Sequence, residues 1–272
     1  MSNSLPTEVP SELYDANYYL NLAGGSTLYA QTGGTEVDPR VRRLLDFLCP
    51  VTGSRVLDVG CGRGELIKAI LKRQAKFAVG IDYSSTAIAI AQKTLSEEIF
   101  DSRCLLLEAN ATCLPFATGT FDYVTASDVI EHLYPRQLSE CLQECKRVLR
   151  VSGKLLIHTF PNRLCWNYGY PIVRTIVNLY RSDEGQKLPK NPRTEYDPIL
   201  HVNEQTPWLL RRALKKAGFS SVKVWVEFSH ITPYMHFLVR GGSRKRTLFF
   251  RLISLPVFRP FFYNDIYAVA TK

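Results

Sequence analysis

Short apolar runs alternate with amphipathic segments between residues 55 and 160. The runs have the length of buried strands, and they lie at Arg55–Val59, Phe77–Ile81, Arg103–Leu107, Phe121–Ala126 and Lys154–Thr159. The segments between them repeat apolar residues at helical spacing, most clearly in Pro135–Arg150. Strands that alternate with helices predict a parallel sheet with helices on both faces.

Helix signals and two further runs extend this pattern to both ends of the chain. Asp38-Pro39 places a capping carboxylate and a first-turn proline before an apolar repeat, which predicts a helix to about Leu48. Near the end of the chain, a helix predicted over Glu204–Lys216 precedes strands at Val222–Phe228 and Asp265–Ala270. The sheet is therefore expected to have seven strands.

Two segments interrupt the regular alternation. Residues 161–203 contain several prolines and many aromatic residues, and residues 229–262 are basic and aromatic. We predict an N-terminal arm and helix in residues 1–50, and one domain in residues 51–272 that carries both segments as cap insertions. The tyrosines of the arm either close over a ligand site as a lid or pack the arm onto the core.

Composition narrows the class of protein. The chain has 272 residues, of which 46% are hydrophobic, enough for one large domain. None of the seven cysteines forms a Cys-x-x-Cys pair, so we expect reduced thiols and a cytoplasmic location. The first ten residues lack the basic start and apolar stretch of a secretory signal.

The loop after the first predicted strand carries the strongest chemical signal. In Asp58-Val59-Gly60-Cys61-Gly62-Arg63-Gly64, three glycines remove side chains between a strand and a helix. A ligand can then reach the backbone amides at the start of the helix. A dinucleotide site would place its third glycine one residue later, so this spacing favours a different ligand.

Two later segments fit an adenosine ligand. Asp82 ends the second strand 18 residues after Gly64, where a carboxylate can accept both ribose hydroxyls. Asn110-Ala111-Thr112-Cys113-Leu114-Pro115-Phe116 follows the third strand. Together with the glycine loop, these motifs resemble the class I S-adenosylmethionine (SAM)-dependent methyltransferases, and more narrowly the methyltransferase type 11 group. The resemblance is strongest over residues 54–160.

The resemblance implies an α/β fold with a Rossmann-like, seven-stranded, mostly parallel sheet, helices on both faces, and irregular or helical cap insertions. It also implies SAM as the cofactor. The cofactor-binding residues that it implies are Asp58, Gly60, Cys61, Gly62, Gly64, Asp82, Tyr83, Asn110, Ala111 and Ser127. The family usually has Asp at the position of Asn110, whose amide oxygen can still accept from the adenine amino group.

The segment from Ser127 to His132 follows the fourth strand, where the transferred methyl group should lie. A hydroxyl acceptor must lose its proton, and we expect His132 or His158 to act as the base. We expect His201 and Tyr29 to contact the acceptor.

The same segment also allows a second hypothesis, in which it binds a metal ion. Asp128-x-x-Glu131-His132 resembles a cluster that can hold a divalent metal in ubiquinone-biosynthesis O-methyltransferases and small-RNA 2′-O-methyltransferases. Glu-His at this place is also common in type 11 enzymes without a metal. We therefore predict no bound metal.

We predict that the chain transfers a methyl group from SAM to a small-molecule or lipid-like acceptor, at oxygen. One alternative is an RNA 2′-O-methyltransferase-like enzyme, suggested by the net charge of +9, although no RNA-binding motif accompanies that charge and nucleic acid is the less favoured partner. The other is a non-catalytic binding protein of the same fold. Residues 237–262 mix apolar and basic side chains, so they either contact an anionic membrane surface or cap the acceptor pocket.

Overall fold

One seven-stranded sheet organises the structure, a computed structural model that describes residues 8–180, 187–193, 196–228 and 244–272. Within these ranges the strands are Arg55–Val59 (β1), Phe77–Asp82 (β2), Cys104–Glu108 (β3), Phe121–Ser127 (β4), Leu149–Thr159 (β5), Ser221–Glu227 (β6) and Asp265–Thr271 (β7). Their order is β3-β2-β1-β4-β5-β7-β6; β7 pairs antiparallel with β5 and with β6, and the other neighbouring strands pair parallel. The predicted Rossmann-like, mostly parallel sheet is confirmed.

Helices surround the sheet. The α-helices of the described residues are Ser26–Thr32 (α1), Pro39–Arg42 (α2), Glu65–Lys72 (α3), Ser85–Thr94 (α4), Ser96–Phe100 (α5), Pro135–Val148 (α6), Tyr170–Tyr180 (α7), Asp197–Leu200 (α8), Pro207–Lys216 (α9), Arg244–Ile253 (α10) and Arg259–Phe262 (α11). Single turns of 3-10 helix occur at Ser11–Leu13, Arg43–Asp46 and Ile130–His132, and π-helical turns at Tyr18–Leu22 and Cys165–Gly169. The arm and the first insertion are thus more helical than the sequence pattern indicated.

Three predicted boundaries were wrong. The helix predicted over residues 38–48 divides into α2 and the 3-10 turn that follows it. β5 begins at Leu149, within the helix predicted to reach Arg150, because buried Leu149 pairs with Phe121 of β4. The last helix before β6 starts at Pro207 rather than Glu204, since the Thr206 hydroxyl caps it by accepting the Leu209 amide at 3.2 Å.

Apolar residues on both faces of the sheet form the core. Along β1, Val56 points to one face while Leu57 and Val59 point to the other. Leu57 and Val59 share their cluster with residues of α6 and α9, and Val56 shares its cluster with residues of α3 and α4. The predicted helices on both faces are confirmed.

The two insertions meet in one cap. Tyr170, Val173 and Val177 of α7 pack in a single cluster with Ile253 of α10 and Phe262 of α11. Residues 229–243 of the second insertion lie outside the described residues. The cap covers one end of the sheet, and the division of the chain at residue 50 stays a prediction.

Two general expectations can be compared with the fold. All seven cysteines are free thiols, as predicted. Across the described residues, no helix combines the length and the hydropathy needed to span a bilayer.

Candidate active site

A first cavity opens at the carboxyl ends of β1, β2 and β4, beside the point where the strand order reverses. It is lined by nine of the ten predicted cofactor residues: Asp58, Gly60, Cys61, Gly62, Asp82, Tyr83, Asn110, Ala111 and Ser127. The structure therefore brings the three sequence motifs together around one space.

Gly64, the tenth predicted cofactor residue, does not line this cavity. It precedes α3 with φ of 87°, and a Cβ on it would lie 2.8 Å from Cδ1 of Leu95. Its role is to let the loop turn into the helix against α4, so the predicted ligand contact is replaced by a structural one.

The glycine loop leaves room only for backbone. Gly60 has φ of 69°, and a Cβ on it would lie 2.3 Å from Cγ2 of Val129. The Gly62 amide donates to Oδ2 of Asp82 at 3.0 Å, which ties the loop to the end of β2. A cradle that a Cβ would fill, closed by a carboxylate, fits the adenosyl and methionine parts of SAM.

Two buried carboxylates face this cradle. Asp82 also accepts the Ser84 amide at 3.0 Å, and burial raises the pKa of Asp82 despite these donors. Asp58 accepts the Thr125 hydroxyl at 2.7 Å, and burial raises the pKa of Asp58 to about 7. A ligand that brings hydroxyl donors and a positive charge would satisfy both groups.

The N-terminal arm closes over the first cavity. Arg63 holds the arm by donating to the backbone carbonyls of Tyr19 at 2.6 Å and Gly24 at 2.7 Å. The Ser84 hydroxyl donates to the carbonyl of Tyr14 at 2.8 Å. Because Tyr14, Tyr18 and Tyr19 line the cavity while their rings also pack together, the arm is both lid and packing element.

Tyr29 does not reach either cavity. Its hydroxyl lies 2.9 Å from Oγ1 of Thr94, and the guanidinium of Arg63 covers its ring at 5.2 Å from the centroid. The arm directs this side chain against α4, so its position gives no support to the predicted contact between Tyr29 and the acceptor.

A second cavity of about 490 Å³ lies under the cap. Its walls are mainly aromatic and aliphatic, and they include Phe160, Trp166, Tyr170, Leu188, Tyr196 and Leu200. His201 lines it, so this predicted acceptor residue is in a position to contact a bound molecule. The two cavities share Tyr18, Ala23, Gly24, Asp128 and His132, which mark the junction between them.

His132 lies at this junction with one nitrogen engaged. Its Nδ1 lies 3.1 Å from the carbonyl oxygen of Leu200 and 2.9 Å from the hydroxyl of Tyr14. Since a carbonyl only accepts, the first contact assigns the proton to Nδ1 and leaves a lone pair on Nε2. Burial, aided by His201, lowers the pKa of His132 to about 3, so the imidazole is neutral at physiological pH.

His158 has neither nitrogen available. It is fully buried, with Nδ1 2.9 Å from Oδ1 of Asp128 and Nε2 2.9 Å from Oδ1 of Asp265. Burial alone would lower the pKa of His158, but the two carboxylates outweigh it and raise the pKa to about 10. His158 is thus an imidazolium between two carboxylates and lines neither cavity, which conflicts with the predicted role as a base.

The three residues of the Asp-x-x-Glu-His segment all line the second cavity, but their side chains have different partners. Asp128, with φ of 53°, turns to His158, whereas Glu131 accepts the Thr159 hydroxyl at 2.8 Å. Ligand atoms of Glu131, His132 and His201 all lie within 4.8 Å of one another. A metal cluster would therefore use His201 in place of Asp128, a combination that the linear motif did not indicate.

Arg40 is a site residue that sequence reasoning missed. It lines the second cavity, stacks over the ring of Phe160 at 5.3 Å, and binds Oδ1 of Asp38 through Nε at 3.1 Å. The sequence marked Asp38-Pro39 as a helix start, and Asp38 does accept the Arg40 amide at 2.9 Å. No sequence signal pointed the Arg40 side chain toward a ligand.

Comparisons with known proteins agree with this geometry. A family model described as a methyltransferase domain matches residues 56–153. The chain is 32% identical over 189 residues to a ubiquinone/menaquinone biosynthesis C-methyltransferase of Dinoroseobacter shibae, covering 66% of this chain and 72% of that protein. It is 29% identical over 175 residues to a ubiquinone biosynthesis O-methyltransferase of Dechloromonas aromatica, covering 64% and 69% of the two chains.

Solved structures share the fold. A geranyl diphosphate methyltransferase in complex with geranyl diphosphate and sinefungin aligns with a TM-score of 0.58 at 19% identity, over 85% of this chain and 77% of that one. The [4+2]-cyclase SpnF aligns with a TM-score of 0.58 at 19% identity, over 100% and 99% of the two chains. One fold thus occurs in proteins with differently named activities, so the acceptor chemistry must be argued from the site.

Proposed function

The chain belongs to the class I SAM-dependent methyltransferases, and on that premise we propose that it methylates a hydroxyl oxygen of an apolar small-molecule acceptor. The observation that carries the proposal is the neutral His132 at the junction of the two cavities. Its Nε2 has no hydrogen-bond partner among the described residues, and a hydroxyl group there would meet a free lone pair.

The second cavity supports an apolar acceptor. Phe160, Trp166 and Tyr170 supply aromatic walls, and Leu188 and Leu200 supply aliphatic ones. Apolar pockets with a few polar groups bind apolar molecules and use the polar groups to orient them. Here the polar groups include Arg40, His132 and His201, which lie on the walls of the same cavity.

SAM, when bound, supplies a methyl group that is already activated on a sulfonium cation. The residues of the chain then have to align two molecules and remove one proton. The glycine loop and Asp82 fix one partner in the first cavity, while the cap fixes the other in the second. Alignment of this kind can lower a barrier by roughly 7–11 kcal/mol in well-oriented systems.

His132 takes the hydroxyl proton on Nε2 as the oxygen attacks. With a pKa of about 3 it is a weak base, so it accepts the proton only when the forming carbon–oxygen bond has made the hydroxyl strongly acidic. The Leu200 carbonyl and the Tyr14 hydroxyl oxygen then stabilise the positive ring through the proton on Nδ1. His158 holds Asp128 in place beside the junction and takes no proton itself.

A panel of acceptors with methyl-labelled SAM tests the proposal. We expect transfer to apolar phenols and related hydroxy compounds, and no transfer to the same compounds with the hydroxyl replaced by hydrogen. Transfer only to RNA or protein, or to the carbon skeleton of the deoxy compounds, would overturn it. SAM binding by calorimetry in the same preparations shows whether a negative result comes from a missing acceptor or from a non-catalytic protein.

A further inference from the structure

The cap carries a stripe of exposed leucines. Leu248, Leu252 and Leu255 follow i, i+4 and i+7 spacing, and a hydrogen bond of 3.1 Å from the Leu255 amide to the Leu252 carbonyl extends the turn beyond α10. These side chains are 69%, 48% and 48% exposed, whereas Ile253, on the other side of α10, is buried in the cap cluster. The helix is therefore apolar on both sides.

The exposed stripe continues into neighbouring apolar residues. Val257 is 68% exposed, and Phe258 follows it at the start of α11. Within α11, the ring of Phe261 lies 6.5 Å from that of Tyr168 and 6.4 Å from that of Trp208, two largely exposed aromatics. The name outer apolar face is used below for seven exposed residues: Tyr168, Trp208, Leu248, Leu252, Leu255, Val257 and Phe258. Several exposed apolar side chains on and beside α10 and α11 mark an interaction site, unlike single exposed leucines.

The charge around this face has one sign. No Asp or Glu occurs from Phe228 to Asn264, while the same stretch contains six Lys and Arg residues. Arg251 and Arg259 are exposed beside the leucine stripe. Exposed leucines in a stretch whose charged residues are all cations match an anionic lipid surface, where the leucines enter the acyl boundary and Arg251 and Arg259 meet the headgroups.

The outer apolar face is the back of a wall of the acceptor cavity. Ile253 and Phe262, from α10 and α11, pack against Tyr170 and Leu188, and both of these residues line the second cavity. A surface seated on this face would thus be separated from the second cavity by α10, α11 and the cap cluster beneath them.

We propose that the outer apolar face docks on an anionic lipid surface and brings the second cavity to apolar acceptors held there. The delivery of an acceptor rests on the proposed function, but the docking does not. Of the membrane segment predicted from sequence, residues 237–243 lie outside the described residues, and the proposal uses only residues 244–262 together with Tyr168 and Trp208.

Flotation of the full chain with lipid vesicles tests the docking. We expect wild type to float with vesicles of phosphatidylcholine and phosphatidylglycerol, to float less with phosphatidylcholine alone, and to be released by salt. The double variant Leu248→Gln/Leu252→Gln should lower vesicle partitioning by about tenfold or more, since it removes two apolar side chains from the lipid. Phe100→Gln, at an 88% exposed aromatic on α5, is the matched control and should float like wild type.

Three results would overturn the docking proposal. They are a wild type that does not float, a leucine variant that floats like wild type, and a wild-type dimer that the leucine substitutions dissociate without vesicle binding. The last result would assign the face to a second copy of the chain. Calorimetric binding of SAM confirms that each variant is folded, and transfer to a dispersed hydroxy acceptor is measured separately, so failure of the proposed function is distinguished from failure of docking.

Discussion

The hydroxyl of Tyr14 lies 2.9 Å from Nδ1 of His132, although 118 positions separate the two residues in the sequence. The contact joins the N-terminal arm to the proposed base at the junction of the two cavities. Burial raises the pKa of the Tyr14 hydroxyl well above its usual range, so it stays neutral beside the ring. The arm therefore supplies a hydrogen-bond partner to His132 as well as covering the first cavity.

Tyr14→Phe is expected to slow transfer without weakening cofactor binding. The variant removes one of two acceptors for the Nδ1 proton, a neutral hydrogen bond, so kcat should fall by about 3- to 10-fold. Tyr29→Phe is the matched control, because Tyr29 lies in the same arm but lines neither cavity. Steady-state kinetics with calorimetric SAM titrations check this, and equal kcat losses in the two variants would contradict it.

Asp82→Asn is expected to weaken SAM binding by roughly 10- to 100-fold, since charge-assisted hydrogen bonds to the ribose are lost. Asp122→Asn is the control, because Asp122 contacts the Arg55 amide and Arg150, away from both cavities. Calorimetric titration with SAM measures both variants. If Asp82→Asn bound SAM as tightly as wild type, the assignment of Asp82 to the ribose hydroxyls would be contradicted.

The ion pairs of His158 predict a pH-dependent contribution to stability. Its pKa rises from 6.5 to about 10 on folding, so the stabilisation is complete below pH 6.5 and is lost between pH 6.5 and 10. The difference in unfolding free energy between wild type and His158→Gln should shrink over this interval by roughly 2–5 kcal/mol. Urea denaturation at several pH values measures it, and a constant difference would mean that His158 is neutral in the folded protein.

Sequence periodicity predicted the sheet, and the glycines predicted the turn after β1, because both depend on local signals. An apolar run predicts a strand such as Arg55–Val59. A glycine is required at position 60 because a Cβ there would clash with the side chain of Val129. The role of His158 could not be predicted in this way. Asp265 reaches it from β7, 107 positions later, and only the antiparallel pairing of β5 with β7 brings the two together.

Local signals also could not predict which side chains line the second cavity. His201 lines the second cavity, Arg40 lines it without having been singled out from the sequence, and Tyr29 lies against Thr94 instead. Tyr29 belongs to the arm and Arg40 to the helix that follows it. The path of the arm is fixed by contacts with distant residues such as Arg63 and Thr94. Spacing along the chain carries no information on such contacts.

A base mechanism and a metal mechanism make different predictions for His201. If Glu131, His132 and His201 held a metal ion, His132→Gln and His201→Gln would lose activity together and a chelator would abolish it. We expect activity to survive chelation and His201→Gln to retain most of kcat, with its effect mainly on the KM of the acceptor. Activity that is lost to a chelator and restored by a divalent cation would show that the reaction depends on a metal ion and would contradict the base mechanism.

The position of the transferred label is the most direct test of whether the chain methylates oxygen with His132 as the base. Wild type and His132→Gln are each incubated with a phenolic acceptor and SAM labelled with carbon-13 in the methyl group, and the product is identified by NMR. We expect a methoxy product with wild type, a rate about 100-fold or more lower with His132→Gln, and equal SAM binding by both proteins. A label on carbon or nitrogen, or an undiminished rate in the variant, would contradict oxygen methylation with His132 as the base.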